Sequence, residues 1–168
     1  MTDIDNIPAI LDGMAEQIRE LISRTGRTDL AMVGIHTGGV WIAAQLQERL
    51  GITSAPGSLD ISFYRDDFTR IGMHPQVQPS NLPFEIDDQH IVLVDDVLHT
   101  GRTIRAALNE IFDYGRPASV ILVTLVDRGG RELPIAADIT GVQMTLADNQ
   151  HVKLTGPDQL RLELQESV

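Results

Sequence analysis

Cysteine is absent from the sequence, and lysine occurs once, as Lys153. The absence of cysteine excludes disulfide bonds and thiol catalysis, and it makes the cytoplasm the expected location. The longest apolar run, around residues 118–126, falls far short of the ~20 residues that a membrane helix requires. The first residues are acidic and lack a basic segment followed by an apolar one, so we expect neither an export signal nor a membrane partner.

Positive charge is also scarce, and the formal net charge is −11. Because affinity for nucleic acids depends on cationic contacts to phosphates, this charge disfavours RNA as a partner of the chain. The arginines nevertheless occur in close pairs: Arg65 with Arg70, Arg102 with Arg105, and Arg128 with Arg131. Paired arginines suit a bidentate grip on phosphate, although solvated surface arginines remain the alternative interpretation.

The hydrophobic pattern predicts one α/β domain that spans residues 1–168. An apolar stripe from Ile7 to Leu21 predicts a first helix that stops at Gly26, and further helices are predicted at 40–50 and 103–114. Strands are predicted at 30–35, 58–64, 90–96 and 118–126, with later edge strands at 137–142 and 160–164. This alternation indicates an open, mainly parallel twisted sheet flanked by helices.

Residues 65–83 show mixed polarity, several prolines and no sustained period. Loops of this length in a compact domain are usually disordered or functional, so we expect a long flexible active-site loop here. Three other turns, at residues 36–39, 95–103 and 126–134, follow the predicted strands directly. Because ligands bind beyond the carboxyl ends of strands in open parallel sheets, these turns are expected to share one site.

The turn after the third long strand carries the features of an anion site. Gly101 allows the backbone to curl so that successive N–H groups point into one concavity, and the following helix adds the positive end of its dipole. The hydroxyl groups of Thr100 and Thr103 can donate to the same anion. Threonine is also a good helix cap, which is the purely structural alternative.

Two adjacent carboxylates, Asp95 and Asp96, precede this turn and repel each other. Solvent can screen such a pair, or a ligand can lie between the carboxylates and water. Carboxylates are suitable acceptors for sugar hydroxyls, as in dinucleotide sites. An acidic pair followed by a phosphate turn therefore predicts a receptor for a phosphorylated sugar, with the ligand and its Mg²⁺ offsetting the repulsion.

Residues 92–104 read VLVDDVLHTGRTI, which resembles the signature of the type I phosphoribosyltransferases, enzymes that bind 5-phosphoribosyl-1-pyrophosphate (PRPP). The flanking segments are similar to those of the PyrR family, whose members regulate pyrimidine operons and are also uracil phosphoribosyltransferases. These segments read GIHTGGV, DISFYRDD, LPFEI, RAALNEIFDYGRPASV and LVDRGGRELPIAADITG. The resemblance extends from about residue 7 to the end of the chain, so it implies the type I phosphoribosyltransferase fold.

The resemblance also implies a role for each matching residue. Asp95 and Asp96 would hold the ribose hydroxyls and, through the substrate, Mg²⁺. The 5-phosphate would be bound by backbone and hydroxyl groups of Val97, Leu98, His99, Thr100, Gly101, Arg102 and Thr103. The pyrophosphate would face Thr37, Gly38 and Gly39, with Arg65 in the loop that closes over the substrates, while Arg128 and the backbone near Val152 would line the base side.

By this resemblance, the protein is expected to convert uracil and PRPP to UMP and pyrophosphate with Mg²⁺, as a homodimer or a dimer of dimers. It departs from the family pattern at Gly38, where the family commonly has arginine. It also departs in the first helix and in the segment LPIAAD, which are acidic or neutral where RNA-binding members are basic.

Two other hypotheses stay open. A regulator could sense UMP or PRPP in the same pocket and bind messenger RNA, with weak or lost catalysis. A phosphoribosyltransferase could instead act on orotate or a purine, since side chains do not settle the base.

Overall fold

The computed structural model describes residues 4–61 and 80–167. Within these residues the helices are α1 (Ile7–Thr25), α2 (Gly38–Leu50) and α3 (Arg102–Tyr114). The strands are β1 (Leu30–Ile35), β2 (Gly57–Leu59), β3 (His90–Leu98), β4 (Ser119–Asp127), β5 (Ile139–Gln143), β6 (Gln150–Thr155) and β7 (Arg161–Glu166).

Strands β1 to β5 form one parallel sheet in the order β2-β1-β3-β4-β5. The central strand β3 pairs with β1 from Leu30↔His90 onward and with β4 as far as Leu98↔Asp127. The predicted open parallel α/β sheet is therefore confirmed. Because the strands run in the same direction, the turns that follow β1, β3 and β4 lie along one edge of the sheet.

The sheet separates two hydrophobic clusters. Val92 and Val94 of β3 belong to a cluster that includes the buried side chains of α1 and α2. Ile91 and Leu93 point to the other face and belong to a cluster that includes α3. The continuous apolar sequence of β3 thus buries both faces, as is typical of central strands in parallel sheets.

Helix α1 begins and ends as its sequence predicts. The side chain of Asn6 accepts a hydrogen bond from the N–H of Ala9 at 3.2 Å and caps the first turn. Gly26 ends the helix in a left-handed conformation (φ 71°), and this conformation favours glycine. The predicted stripe, formed by Ile7, Leu11, Met14, Ile18 and Leu21, is buried.

Several predicted boundaries were wrong. Helix α2 begins at Gly38, two residues before the predicted start, and β3 continues through Leu98 instead of ending at the aspartates. The predicted strand 58–64 is described only as far as residue 61, and the strand itself ends at Leu59. The last predicted strand, residues 160–164, does not belong to the main sheet.

Instead, β7 pairs with β6 in an antiparallel two-stranded sheet, and β6 was not predicted at all. Only Leu154 of β6 is fully buried, so its sequence carries little hydrophobic signal. Leu154 and Leu162 join the cluster of α1 and α2 and anchor this small sheet to the main one.

Most of the predicted loop 65–83 lies outside the described residues. Its end is described, and Asn81 forms an isolated antiparallel bridge with Ser58 of β2. None of the described helices is both long and apolar enough to span a bilayer. The extent of the domain over residues 1–168 stays a prediction.

Candidate active site

Asp95 and Asp96 lie near the carboxyl end of the central strand. Asp95 is 4% exposed, and its Oδ1 accepts a hydrogen bond from the N–H of Asp96 at 2.9 Å. Asp96 is partly exposed, and its Oδ1 accepts from the N–H of Val97 at 2.8 Å. Each carboxylate is therefore oriented by the backbone of the next residue, and Asp96 is the more accessible of the two.

The phosphate turn, residues 98–103, connects β3 to α3. Gly101 has φ +92°, and a Cβ placed on it would lie 3.0 Å from Cγ1 of Ile135, so both conformation and space favour glycine here. The hydroxyl oxygen of Thr100 accepts a hydrogen bond from the N–H of Arg102 at 3.2 Å. Gly101, and not Thr100, is the N-cap residue of α3, so this bond stabilises the turn itself and leaves the hydroxyl hydrogen of Thr100 available to a ligand.

The backbone of this turn also offers free donors. Among the described residues, none accepts a hydrogen bond from the backbone N–H groups of His99, Thr100 or Gly101. These groups lie beside the N-terminus of α3, where the helix dipole favours negative charge. Unpaired N–H groups at a helix N-terminus form a suitable site for a phosphate.

The turn formed by Thr37, Gly38 and Gly39 connects β1 to α2 and packs against the aspartate pair. A Cβ placed on Gly38 would lie 2.3 Å from Oδ2 and 2.8 Å from Cβ of Asp96. A Cβ placed on Gly39 would lie 2.4 Å from the carbonyl oxygen of Val94. The two glycines therefore allow a contact between the turn and β3 that no side chain would permit in this geometry.

A cavity of about 550 Å³ lies beyond the ends of β4 and β5. Its lining includes His99, Asp127, Arg128, Gly129, Gln143 and Met144. Nε of Arg128 is buried and has no hydrogen-bond partner among the described residues. Arg128 therefore places a guanidinium group in the wall of a cavity whose lining is mostly polar.

Asp127, the last residue of β4, forms a bidentate ion pair with Arg131. Nη1 and Nη2 of Arg131 donate to its two carboxylate oxygens at 2.9 and 2.6 Å. The hydrogen bond from Arg131 holds the pKa of Asp127 below its ordinary value, helped by the N–H of Gly129 and opposed by burial. Asp127 is therefore a carboxylate whose charge is neutralised within the protein.

Comparison with known proteins identifies the family. The model of the phosphoribosyl transferase domain matches residues 1–157. A protein of Nitrosococcus oceani called bifunctional protein PyrR is 60% identical over 162 residues, which cover 95% of this chain and 92% of the relative. The chain belongs to the PyrR family. A PyrR protein of Pseudomonas putida is 55% identical over 97% of this chain and 95% of its own length.

Solved structures confirm the predicted type I phosphoribosyltransferase fold of this PyrR-family chain. A hypoxanthine phosphoribosyltransferase of Trypanosoma cruzi superposes with a TM-score of 0.66 at 21% identity, covering 88% of this chain and 82% of the other. The enzyme of Staphylococcus aureus gives 0.62 at 20% identity, covering 82% and 74%. At these identities the likeness concerns the fold alone.

The sequence-based prediction of a phosphoribosyltransferase of the PyrR type is thus confirmed. The structure brings most of the predicted site residues of this PyrR-family protein to one edge of the sheet. This group comprises Thr37, Gly38, Gly39, Asp95, Asp96 and residues 97–103. Arg128 lies at the end of the neighbouring strand and lines the cavity.

Other predicted site residues are placed differently or not at all. Val152 lies in β6, where its side chain packs against the cluster of α1 and α2, and the role of the backbone near it stays a prediction. Arg65 lies outside the described residues. In the described part of the chain, no group of three or more His, Cys, Asp or Glu residues could hold a metal ion.

Sequence reasoning missed the ion pair between Asp127 and Arg131. It paired Arg131 with Arg128 because the two arginines are close in sequence. The overlooked signal was the spacing of four residues between an acid at a strand end and an arginine in the following turn.

Proposed function

We propose that this PyrR-family protein transfers the phosphoribosyl group of PRPP to uracil and forms UMP and pyrophosphate. The observation that carries the proposal is the position of Asp95 and Asp96 between the phosphate turn and the turn containing Gly38. PRPP has a phosphate at one end, two hydroxyls in the middle and a pyrophosphate at the other end. The arrangement of acceptors and free N–H groups matches that order.

At the phosphate end, the unpaired N–H groups of residues 99–101 would donate to the 5-phosphate, together with the hydroxyls of Thr100 and Thr103. The backbone N–H of Arg102 donates to the hydroxyl oxygen of Thr100 and its Nε donates to Glu132 at 2.7 Å, so in this proposal Arg102 maintains the shape of the turn. In the middle, Asp95 and Asp96 would accept hydrogen bonds from the ribose hydroxyls. Charged acceptors make such bonds stronger than neutral ones.

At the other end, the backbone of Thr37, Gly38 and Gly39 would face the pyrophosphate near the N-terminus of α2. The absence of an arginine at position 38 is consistent with the contact between Gly38 and Asp96, which leaves no room for a side chain. Arg65 stays a prediction for this end of the substrate.

In the reaction, the bond between ribose C1 and the pyrophosphate oxygen breaks, a bond forms between C1 and N1 of uracil, and the N1 proton passes to the leaving pyrophosphate or to water. Positive charge builds on the ribose while negative charge leaves with the pyrophosphate. The carboxylates of Asp95 and Asp96 are hard oxygen donors that fit Mg²⁺, though with substrate oxygens completing its shell. Mg²⁺ bound there would stabilise the charge on the leaving pyrophosphate. The adjacent carboxylates would also favour positive charge on the ribose.

On the base side, the cavity beyond β4 and β5 has the size and walls for a small planar ring. The guanidinium group of Arg128, a residue that lines this cavity, is a donor that suits a carbonyl oxygen of uracil. The side chains that line the cavity do not by themselves distinguish uracil from other bases. Orotate and purines are therefore compared directly in the experiment below.

The test is formation of UMP from uracil, PRPP and Mg²⁺, with orotate, hypoxanthine and guanine in parallel. We expect product from uracil and none above background from the other bases. Product from another base alone would contradict the choice of uracil. Absence of product from every base, in a folded protein, would contradict the proposed transfer.

RNA binding and assembly stay predictions from the sequence, as does the cytoplasmic location. The relatives are called bifunctional, and a net charge of −11 disfavours phosphate contacts. Salt-dependent binding to a pyrimidine operon leader RNA would support regulation, and no binding at low salt would exclude it. Sedimentation of the purified chain would distinguish a homodimer from a dimer of dimers.

A further inference from the structure

A segment that we call the strap, residues 128–135, runs along the outer side of the phosphate turn. The N–H of Arg128 donates to the carbonyl of Leu98 at 3.0 Å. The N–H groups of Glu132 and Leu133 both donate to the carbonyl of Thr100, at 2.9 and 3.1 Å. The strap therefore binds the first and third carbonyls of the turn by backbone hydrogen bonds.

The carbonyl between them, that of His99, is bound by a side chain. Nη1 of Arg131 donates to it at 3.0 Å. The same guanidinium is fixed by the carboxylate of Asp127 and by the carbonyl of Ile135, to which Nε donates at 2.7 Å. Only 25% of the Arg131 side chain and 16% of the Asp127 side chain are exposed, so solvent screens this network weakly.

These contacts orient the peptide groups of the turn. In a trans peptide, the carbonyl of one residue and the N–H of the next point in opposite directions. Holding the carbonyls of Leu98, His99 and Thr100 toward the strap therefore directs the N–H groups of residues 99–101 away from it. Those are the N–H groups without an acceptor among the described residues.

We propose that Arg131 is a positioning residue for the phosphate turn: anchored by Asp127, it fixes the peptide between His99 and Thr100 so that the Thr100 N–H faces the 5-phosphate. This inference rests on the proposed function, since it assumes that PRPP binds in the turn. Arg131 does not touch the substrate in this account. Its effect reaches the ligand through one backbone N–H group, remote from the reacting carbon.

The variant Arg131→Gln tests the proposal. We expect its KM for PRPP to rise about ten- to a hundredfold, the loss expected for one hydrogen bond to a charged oxygen. Because the interaction is made equally in the ground and transition states, kcat and the KM for uracil should change less than about threefold. Lysine at this position could pair with Asp127, but it lacks the guanidinium group whose separate N–H donors also reach the carbonyl of His99. Arg131→Lys should therefore keep the fold without restoring the wild-type KM for PRPP.

Inhibition constants separate positioning from general structural damage. Ribose 5-phosphate should lose affinity for Arg131→Gln by the same factor, whereas pyrophosphate, which binds at the other turn, should inhibit wild type and variant equally. Arg49→Gln is the matched control, since Arg49 is 20% exposed and pairs with Asp12 and with the carbonyl of Gln45 away from the site. Both constants should be unchanged in that control.

Equal loss of affinity for ribose 5-phosphate and pyrophosphate would overturn the proposal, as would a rise in the KM for uracil alone. Full recovery of the KM for PRPP in Arg131→Lys would also overturn it. A wild-type protein that forms no UMP would instead refute the proposed function. The two failures are therefore distinguishable.

Discussion

Asp96 and Asp127 lie near the carboxyl ends of neighbouring parallel strands, but their carboxylates have different partners. Asp127 forms a bidentate ion pair with Arg131 and accepts a further bond from the N–H of Gly129. In the described part of the chain, Asp96 accepts a bond from the N–H of Val97, and no cationic side chain pairs with it. The carboxylate of Asp127 is neutralised by Arg131 and stabilises the loop after β4, whereas the carboxylate of Asp96 remains available to a ligand.

Removing the charge of the aspartate pair should have the largest effect. Asp95→Asn with Asp96→Asn should weaken PRPP binding by roughly a hundredfold or more, because each hydrogen bond to a charged group contributes about 1.5–3 kcal/mol. Titration calorimetry with Mg²⁺ and PRPP measures the change. The circular dichroism spectrum should remain that of wild type, and unchanged affinity in a folded double variant would refute the ribose assignment.

A side chain at position 38 should have the next largest effect. In Gly38→Ala the new Cβ would overlap with Asp96, so the turn must shift, and we expect the KM for PRPP to rise about ten- to a hundredfold. Gly38→Arg, which introduces the residue common in the family, should be no better. Steady-state kinetics tests both variants.

Gly13→Ala is the control for the substitution at position 38. Gly13 lies within α1, and nothing stands within 4 Å of its Cβ position. This change should leave kinetics unaltered and stabilise the helix by about 0.5–1 kcal/mol. Higher activity of Gly38→Arg than of wild type would contradict the steric account.

Removing the charge of Asp127 should lower the stability of the fold. Asp127→Asn should lower the free energy of unfolding at neutral pH by about 1–3 kcal/mol, since it leaves Arg131 without its charged acceptor. The pKa of Asp127 is lowered in the folded protein, so its contribution is present above the ordinary carboxyl pKa and is lost as pH falls through the folded value. Urea unfolding at several pH values checks this.

The difference between wild type and Asp127→Asn should therefore be greatest near neutral pH and shrink below about pH 4. A difference that grows on acidification would show that the carboxylate does not stabilise the fold by pairing with Arg131. Asp96→Asn, measured alongside, should show little change in stability because no cation in the described residues depends on it.

The smallest effect is expected at an exposed ion pair between α3 and the strap. Arg102 and Glu132 are 46% and 54% exposed, so Glu132→Gln should change stability by less than about 1 kcal/mol. Thermal unfolding and UMP formation should both remain close to wild type. A large loss of stability would mean that this pair, and not that of Asp127 and Arg131, secures the strap.

The central sheet could be predicted because β3 and β4 are buried on both faces and carry continuous apolar runs. The aspartate pair and the phosphate turn could be recognised because their residues are contiguous in the sequence. The strand β6 could not be recognised, because its stability comes from pairing with β7 and from one buried leucine, Leu154.

The contact between Gly38 and Asp96 and the bond from Arg131 to His99 were also beyond sequence reasoning. Each joins segments that are distant along the chain and meet only when the strands align in register. Sequence reasoning identified the missing arginine at position 38 but not the lack of space that accompanies it. Contacts between such distant segments leave no pattern in the local sequence.

The most direct test of the central claim is a crystal structure of the protein with UMP. We predict that the 5-phosphate accepts hydrogen bonds from the backbone N–H groups of residues 99–101 and that the ribose hydroxyls donate to Asp95 and Asp96. A phosphate bound elsewhere, or ribose hydroxyls with no contact to either aspartate, would contradict the account.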